Sequence, residues 1–118
     1  MADTPPDPLA AARDAIRALA DGYIASLPAK LDEIDRAWVA LTDRQWSEEA
    51  GRDLHRAVHS IAGSARVFGL PAVGEAARAV EHALEPLLAN TTRPGDADLQ
   101  AVARVIRQLR DASLPGSP

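Results

Sequence analysis

The side chains of this sequence best suited to chemistry near neutral pH are those of its three histidines. His55 and His59 stand four residues apart, and His82 lies farther along the chain. A neutral imidazole, with an ordinary pKa of about 6.5, offers a nucleophilic or metal-binding nitrogen at pH 7. The chain has no cysteine, which excludes a disulfide framework, a thiolate metal site and a cysteine nucleophile. The histidines are therefore the first candidates for chemistry.

Gly63 follows His59 by four residues within a strongly helical stretch. At about 100° per residue, His59 points about 140° away from Leu54, which lies on the apolar stripe, and Gly63 points almost opposite that stripe. A glycine facing outward in a helix costs about 1 kcal/mol relative to alanine and gains nothing from core packing. We expect His59 to be exposed and Gly63 to leave its ring approachable. The same outward half is predicted to hold Arg52, His55, Arg56, Ala62 and Arg66.

The composition is typical of a small helical domain. At 118 residues the chain can form one modest core, and its apolar residues are mainly Ala, Leu, Val and Ile. The net charge is -4 with both signs interspersed, which favours neither nucleic-acid binding nor membrane recruitment. No segment approaches the roughly 18 apolar residues of a membrane span, and no signal peptide is evident. We therefore expect a soluble cytoplasmic domain.

Apolar residues recur at alternating steps of three and four, which is the helical period. We divide the chain into a disordered leader over residues 1–8, a helical bundle over 9–113 and a flexible tail or linker start over 114–118. Pro28 should end one helix or open the next. The prediction is an all-α, up-and-down antiparallel four-helix bundle with an additional short N-terminal helix. The apolar stripe begins with Leu9, Ile16, Leu19, Tyr23 and Leu27.

Several residues predict where the helices begin and end. Ser47 is a suitable N-cap for the helix that carries His59, and Gly69 a suitable left-handed C-cap. Pro71 fits the first turn of the next helix. Asp96 or Asp98 should cap the last helix.

The stretch LHRAVHSIAGSARVFGLPAVGEAARAVE, residues Leu54 to Glu81, resembles the histidine phosphotransfer (HPt) family. The family signature is a histidine, then an apolar residue at +2, lysine at +3, glycine at +4, a small pair, and a second glycine that ends the helix. The departure from this signature is Ala62, which stands where the family has its lysine. The resemblance covers most of residues 20–90. The matching residues are His59, Ile61, Gly63, Ser64, Ala65 and Gly69.

The chain looks especially like the amino-terminal phosphotransfer domain of CheA-type chemotaxis kinases. In that domain a glutamate on the following helix contacts the histidine, and Glu81 occupies the matching position. The resemblance implies that His59 is a phosphoryl carrier and that Glu81 orients its imidazole. It also places several residues near the phosphoryl group or the approaching partner, namely Gly63, Ala62, Arg56, Arg66, His55 and Ser64.

The resemblance further implies a domain that depends on its partners. The chain has no GxxxxGK[ST] phosphate loop and no acidic cluster for magnesium, so we expect it to bind no cofactor itself. ATP and Mg²⁺ would come with a histidine kinase catalytic domain, and an aspartate of a response-regulator receiver domain would accept the phosphoryl group. Arg56 and Arg66 could replace the charge of the family lysine. The isolated domain is expected to be a monomer.

Two other interpretations remain open. Ala62 makes a degenerate bundle conceivable, one that only binds a partner protein. His55 and His59 could instead hold a metal ion from one helix face, although no third ligand is evident and His82 lies on another helix. A serine hydrolase is not supported, because the chain has no GxSxG motif.

Overall fold

The computed structural model describes residues 7–43, 45–90 and 92–114, which form four helices and no strand. Consecutive helices pack on each other and α4 returns to α1. The predicted all-α four-helix bundle is therefore confirmed. Residues 1–6 of the expected leader and 115–118 of the expected tail lie outside the described residues. The helices are α1 (Pro8–Asp43), α2 (Glu48–Val67), α3 (Pro71–Leu88) and α4 (Asp96–Ala112).

The first helix runs through Pro28 without a break, so the additional N-terminal helix is not a separate element. A proline inside a helix removes one backbone hydrogen bond and crowds the preceding turn. On either side of it, Leu27 and Leu31 are both buried in the same core, and this packing stabilises the helix before and after the proline. The prediction that Pro28 separates two helices is wrong.

The N-terminal half of α1 projects beyond the rest of the bundle. Leu9, Ile16 and Leu19 are more than 60% exposed, although the sequence pattern continues the core stripe through them. At 1.5 Å per residue, the 36 residues of α1 span about 54 Å, whereas the 20 residues of α2 span about 30 Å. The other helices are too short to cover the first turns of α1. The buried face of α1 begins only at Tyr23.

Both ends of α2 have the predicted caps. The Ser47 hydroxyl accepts a hydrogen bond from the Ala50 amide at 3.1 Å, as expected of an N-cap. Gly69 has φ +78°, and the Leu70 amide donates to the Ala65 carbonyl at 2.8 Å, which is a Schellman C-cap.

The ends of α3 and α4 confirm one prediction and correct another. Pro71 lies in the first turn of α3, as predicted. The N-cap of α4 is Gly95 instead of Asp96 or Asp98. Both aspartates lie in the first turn of α4, where their negative charge interacts favourably with the positive end of the helix dipole.

Helices α2 and α3 approach closely at two glycines. A Cβ on Gly74 of α3 would lie 2.9 Å from Cγ of Arg66 and 3.3 Å from the carbonyl oxygen of Ala62. A Cβ on Gly51 of α2 would lie 2.5 Å from a methyl of Leu88. These two contacts, near opposite ends of the helix pair, set how α2 and α3 align.

Tyr23 joins α1 to the C-terminal end of α2. Its ring stacks on Phe68 with centroids 4.9 Å apart, and its hydroxyl donates to the Ile61 carbonyl at 3.5 Å. Burial raises the pKa of the Tyr23 hydroxyl, and a hydrogen bond with Ser64 partly offsets this. The end of the bundle beyond His59 is thus closed by aromatic packing.

None of the described helices has the length and apolar character needed to cross a membrane.

Candidate functional site

The site is centred on a hydrogen bond between His59 of α2 and Glu81 of α3. The Nδ1 atom of His59 lies 2.8 Å from Oε2 of Glu81. The imidazole is largely exposed, with 72% of its side chain accessible, whereas the Glu81 side chain is only 10% accessible. The predicted exposure of His59 and its predicted contact with Glu81 are both observed.

The core determines where Glu81 stands. Its neighbours along α3, Val80 and Leu84, are fully buried, so Glu81 sits at the edge of the apolar face, turned toward α2. A buried carboxylate requires polar partners to offset the loss of water. His59 supplies one such polar partner at 2.8 Å. This hydrogen bond holds the exposed imidazole in one orientation.

This hydrogen bond selects one tautomer of His59. Because an ionised carboxylate only accepts hydrogen bonds, the Nδ1 atom of His59 must carry the proton. In a neutral ring the lone pair is then on Nε2. The arrangement can therefore present a nucleophilic Nε2 while Glu81 stabilises positive charge that develops on the ring.

The surface next to the ring is open at Gly63. This residue is exposed, and a Cβ placed on it would meet no atom within 4 Å apart from its own helix backbone and chain neighbours. Core packing therefore does not require glycine here. The prediction that Gly63 faces away from the core is confirmed.

Ala62 does not face outward, and that prediction is wrong. Its exposure is only 5%, because α3 crosses α2 closely at this point. A Cβ added to Gly74 of α3 would lie 3.3 Å from the carbonyl oxygen of Ala62. By the helical period, Ala62 points to the border between the core-facing half and the outward half of α2, and α3 covers this border. A partner cannot contact this position directly.

His55 lies beside His59 and is half-buried between α2 and α3. The two rings are parallel to within 11°, with centroids 6.3 Å apart. The Nε2 atom of His55 lies 3.8 Å from Oε2 of Glu81 and 3.4 Å from Oε1 of Glu85. One donor atom from each of His55, Glu81 and Glu85 lies within 4.8 Å of the others, so these residues could together hold a metal ion.

Glu85 was not predicted from the sequence as a site residue. Its position four residues after Glu81 is a usable signal, because residues at i and i+4 share one helix face. The face of α3 that presents Glu81 to α2 must therefore present Glu85 one turn later, opposite His55.

The arginines near the site differ in their surroundings. Arg52 and Arg56 are exposed and pair within α2 with Glu48 and Asp53 respectively. Arg66 is also exposed, and its aliphatic stem lies over Gly74. Beside His59 opens a surface groove of about 460 Å³, lined by Arg52, His55, Arg56, His59, Glu85 and Leu88.

Ser64 belongs to a different side of α2. It is half-buried and hydrogen-bonds with Tyr23 of α1, whereas Glu81 reaches His59 from α3. The expectation that Ser64 lies near a phosphoryl group therefore receives no support from its contacts. His82 is exposed on α3 and takes no part in the contacts among His55, His59, Glu81 and Glu85.

Comparison with known proteins identifies one family. A family model described as Hpt domain matches residues 18–113, which covers the bundle and leaves out the first turns of α1. No curated protein and no solved structure matches the chain.

Proposed function

The chain belongs to the Hpt domain family, which serves histidine phosphotransfer in two-component signalling, and we propose that His59 carries the phosphoryl group. The observation that supports this proposal is the 2.8 Å contact between His59 Nδ1 and Glu81. It leaves Nε2 as the free nucleophilic nitrogen of an exposed ring. No other histidine of the described residues combines this exposure with a buried carboxylate partner.

The proposed reaction has two transfers. In the first, the Nε2 lone pair of His59 attacks the γ-phosphorus of ATP held by a kinase domain, and the bond to the bridging oxygen breaks to release ADP. The proton on Nδ1 stays in its hydrogen bond with Glu81, whose charge offsets the positive charge on the ring. In the second, a carboxylate of a receiver-domain aspartate attacks the same phosphorus, and the electron pair of the N–P bond returns to Nε2.

We propose that the domain supplies the nucleophile and its orientation, while partners supply the rest. Phosphoryl transfer depends mainly on positioning and on neutralising charge, and ATP and Mg²⁺ would arrive with the kinase domain. Gly63 and the groove beside His59 leave space for a partner surface on this side of α2. The likeness to the amino-terminal domain of CheA-type kinases is supported by the Glu81 contact and remains part of this proposal, as does a monomeric, cytoplasmic domain.

The test is phosphorylation with phosphoramidate, a small donor that reacts with imidazole and requires no kinase. The parent protein should acquire one acid-labile, base-stable phosphoryl group at Nε2 of His59, detected by ³¹P and ¹⁵N NMR. His59→Gln should abolish it, whereas His82→Gln, which alters an exposed histidine of α3, should match the parent. If His59→Gln still acquires this label, the assignment is wrong. Labelled parent that then fails to pass its phosphoryl group to any receiver domain would favour a degenerate binding module.

The charge that the family lysine would provide is proposed to come from Arg66 and Arg56. Of the two, Arg56 already pairs with Asp53 at 3.5 Å, so Arg66 is the stronger candidate. An exposed charge pair typically contributes about 0.2–1 kcal/mol, so Arg66→Ala should slow phosphorylation about 1.4- to fivefold. Arg107→Ala, which removes an exposed arginine from α4, is the matched control. Equal rates for the two variants would remove Arg66 from the site.

A further inference from the structure

The contacts of His55 form a second cluster that phosphoryl transfer does not use. His55 Nε2 faces Glu85 Oε1 at 3.4 Å and Glu81 Oε2 at 3.8 Å. One donor atom from each of these three residues lies within 4.8 Å of the other two. The cluster is not simply acidic, since an imidazole nitrogen and two carboxylate oxygens converge on one point between α2 and α3.

These spacings suit a first-row divalent ion. Zinc binds imidazole nitrogen and carboxylate oxygen at about 2.0–2.2 Å, so two ligands on a tetrahedral zinc are about 3.4 Å apart. The distance from His55 Nε2 to Glu85 Oε1 is already 3.4 Å, and the distance to Glu81 Oε2 is 3.8 Å. An imidazole with carboxylates favours Zn²⁺, whereas Mg²⁺ and Ca²⁺ prefer oxygen ligands alone.

The close packing of α2 against α3 holds the residues of the cluster in place. Glu81 and Glu85 are one turn apart on α3, and the close approaches at Gly51 and Gly74 set the position of α2 opposite them. The groove beside His55 and Glu85 is open, which leaves room for water in a fourth position. The two arginines that line this groove, Arg52 and Arg56, are already paired with carboxylates.

We propose that His55, Glu81 and Glu85 form a site for Zn²⁺ or a similar transition-metal ion, and that the ion competes with His59 for Glu81. The second half of this inference rests on the proposed function. Glu81 Oε2 is 2.8 Å from His59 Nδ1 and 3.8 Å from His55 Nε2, so one oxygen faces both rings. A bound ion draws the negative charge of Glu81 away from His59 and releases the ring from its fixed orientation. Metal binding therefore slows phosphoryl transfer.

The binding test is calorimetric titration of the metal-free 118-residue chain with ZnCl₂. The parent should bind one Zn²⁺, and the ¹⁵N resonance of His55 Nε2 should shift on binding. His55→Gln and Glu85→Gln should each weaken binding at least about tenfold, whereas His82→Gln should bind as the parent does. An excess of Mg²⁺ should not displace Zn²⁺. Circular dichroism verifies that each variant retains its helices.

Three outcomes would overturn the site. They are no binding by the parent, equal binding by all variants, and loss of binding in His59→Gln but not in Glu85→Gln. The last would assign the metal to the His55–His59 pair instead.

The regulatory half is tested by phosphorylation with phosphoramidate, with and without saturating Zn²⁺. The ion should slow the parent about tenfold or more, since it removes a hydrogen bond to a charged group. When Zn²⁺ is titrated in this assay, Glu85→Gln should require at least about tenfold more of the ion for the same slowing, and the same Zn²⁺ dependence in both proteins would overturn the regulatory role. Zn²⁺ binding without any phosphorylation of His59 would instead contradict the proposed function and leave the metal site standing.

Discussion

Among the described residues, Glu81 is the one charged side chain that lies buried. A carboxylate at 8% exposure destabilises the fold unless hydrogen bonds compensate for the lost water. Its bond to His59 is therefore both a structural requirement and the means by which the imidazole is oriented.

Replacement of Glu81 by glutamine should preserve the helices but slow phosphorylation of His59. The amide loses the negative charge that stabilises the ring in the transition state, and a hydrogen bond to a charged group contributes about 1.5–3 kcal/mol. We expect Glu81→Gln to react about ten- to a hundredfold more slowly with phosphoramidate. The matched control is Glu75→Gln, an exposed glutamate of the same helix. Equal rates would show that Glu81 does not orient the ring.

Gly63 offers a test that separates stability from access. An added Cβ meets open space, so Gly63→Ala should raise the free energy of unfolding by about 1 kcal/mol. Gly63→Leu should keep the helical circular dichroism but slow phosphoryl transfer to a receiver domain, because its side chain stands beside His59.

Gly22 provides the control for this substitution. It is also an exposed helical glycine with no atom near an added Cβ, but it lies on α1. Gly22→Leu should leave the transfer rate unchanged. Transfer by Gly63→Leu at the rate of the parent would remove steric access as the reason for a glycine at this position.

At the scale of the helix, the sequence pattern describes α2 well and α1 less well. Ser47, Gly69 and the stripe Leu54, Val58 and Ile61 predict the ends and the buried face of α2, as observed. These features depend on short-range hydrogen bonds and on the helical period. The pattern on α1 is equally regular, but Leu9 and Leu19 remain exposed. A periodic stripe shows which face could be buried and contains no information on whether another helix reaches it.

Pro28 illustrates the same limit. A proline inside a helix costs about 3 kcal/mol, and local propensity alone favours a break. The buried Leu27 and Leu31 on either side of it outweigh that cost, because tertiary packing acts on both halves of α1 at once.

At the scale of the molecule, the projecting half of α1 makes the shape elongated. The principal extents are 73 × 28 × 20 Å and the radius of gyration is 18.2 Å, against about 13 Å for a compact chain of this length. Deletion of residues 1–19 should reduce the radius of gyration in small-angle X-ray scattering toward about 13 Å. The urea midpoint should stay the same, since the described side chains among those removed, residues 7–19, are all exposed. A clear loss of stability would show that these turns pack on the bundle in solution.

The sequence by itself determined the helical class, the ends of α2, the exposure of His59 and Gly63, and the resemblance that singled out Glu81. Each of these follows from local periodicity, capping chemistry or a short motif. Only the tertiary structure decided that Ala62 is covered, that Ser64 faces Tyr23, and that His55 meets Glu85. Those contacts depend on the alignment and distance of α2 against its neighbours, set by glycines such as Gly74. Helical periodicity repeats along one helix, whereas this alignment results from side chains of two helices packing against each other.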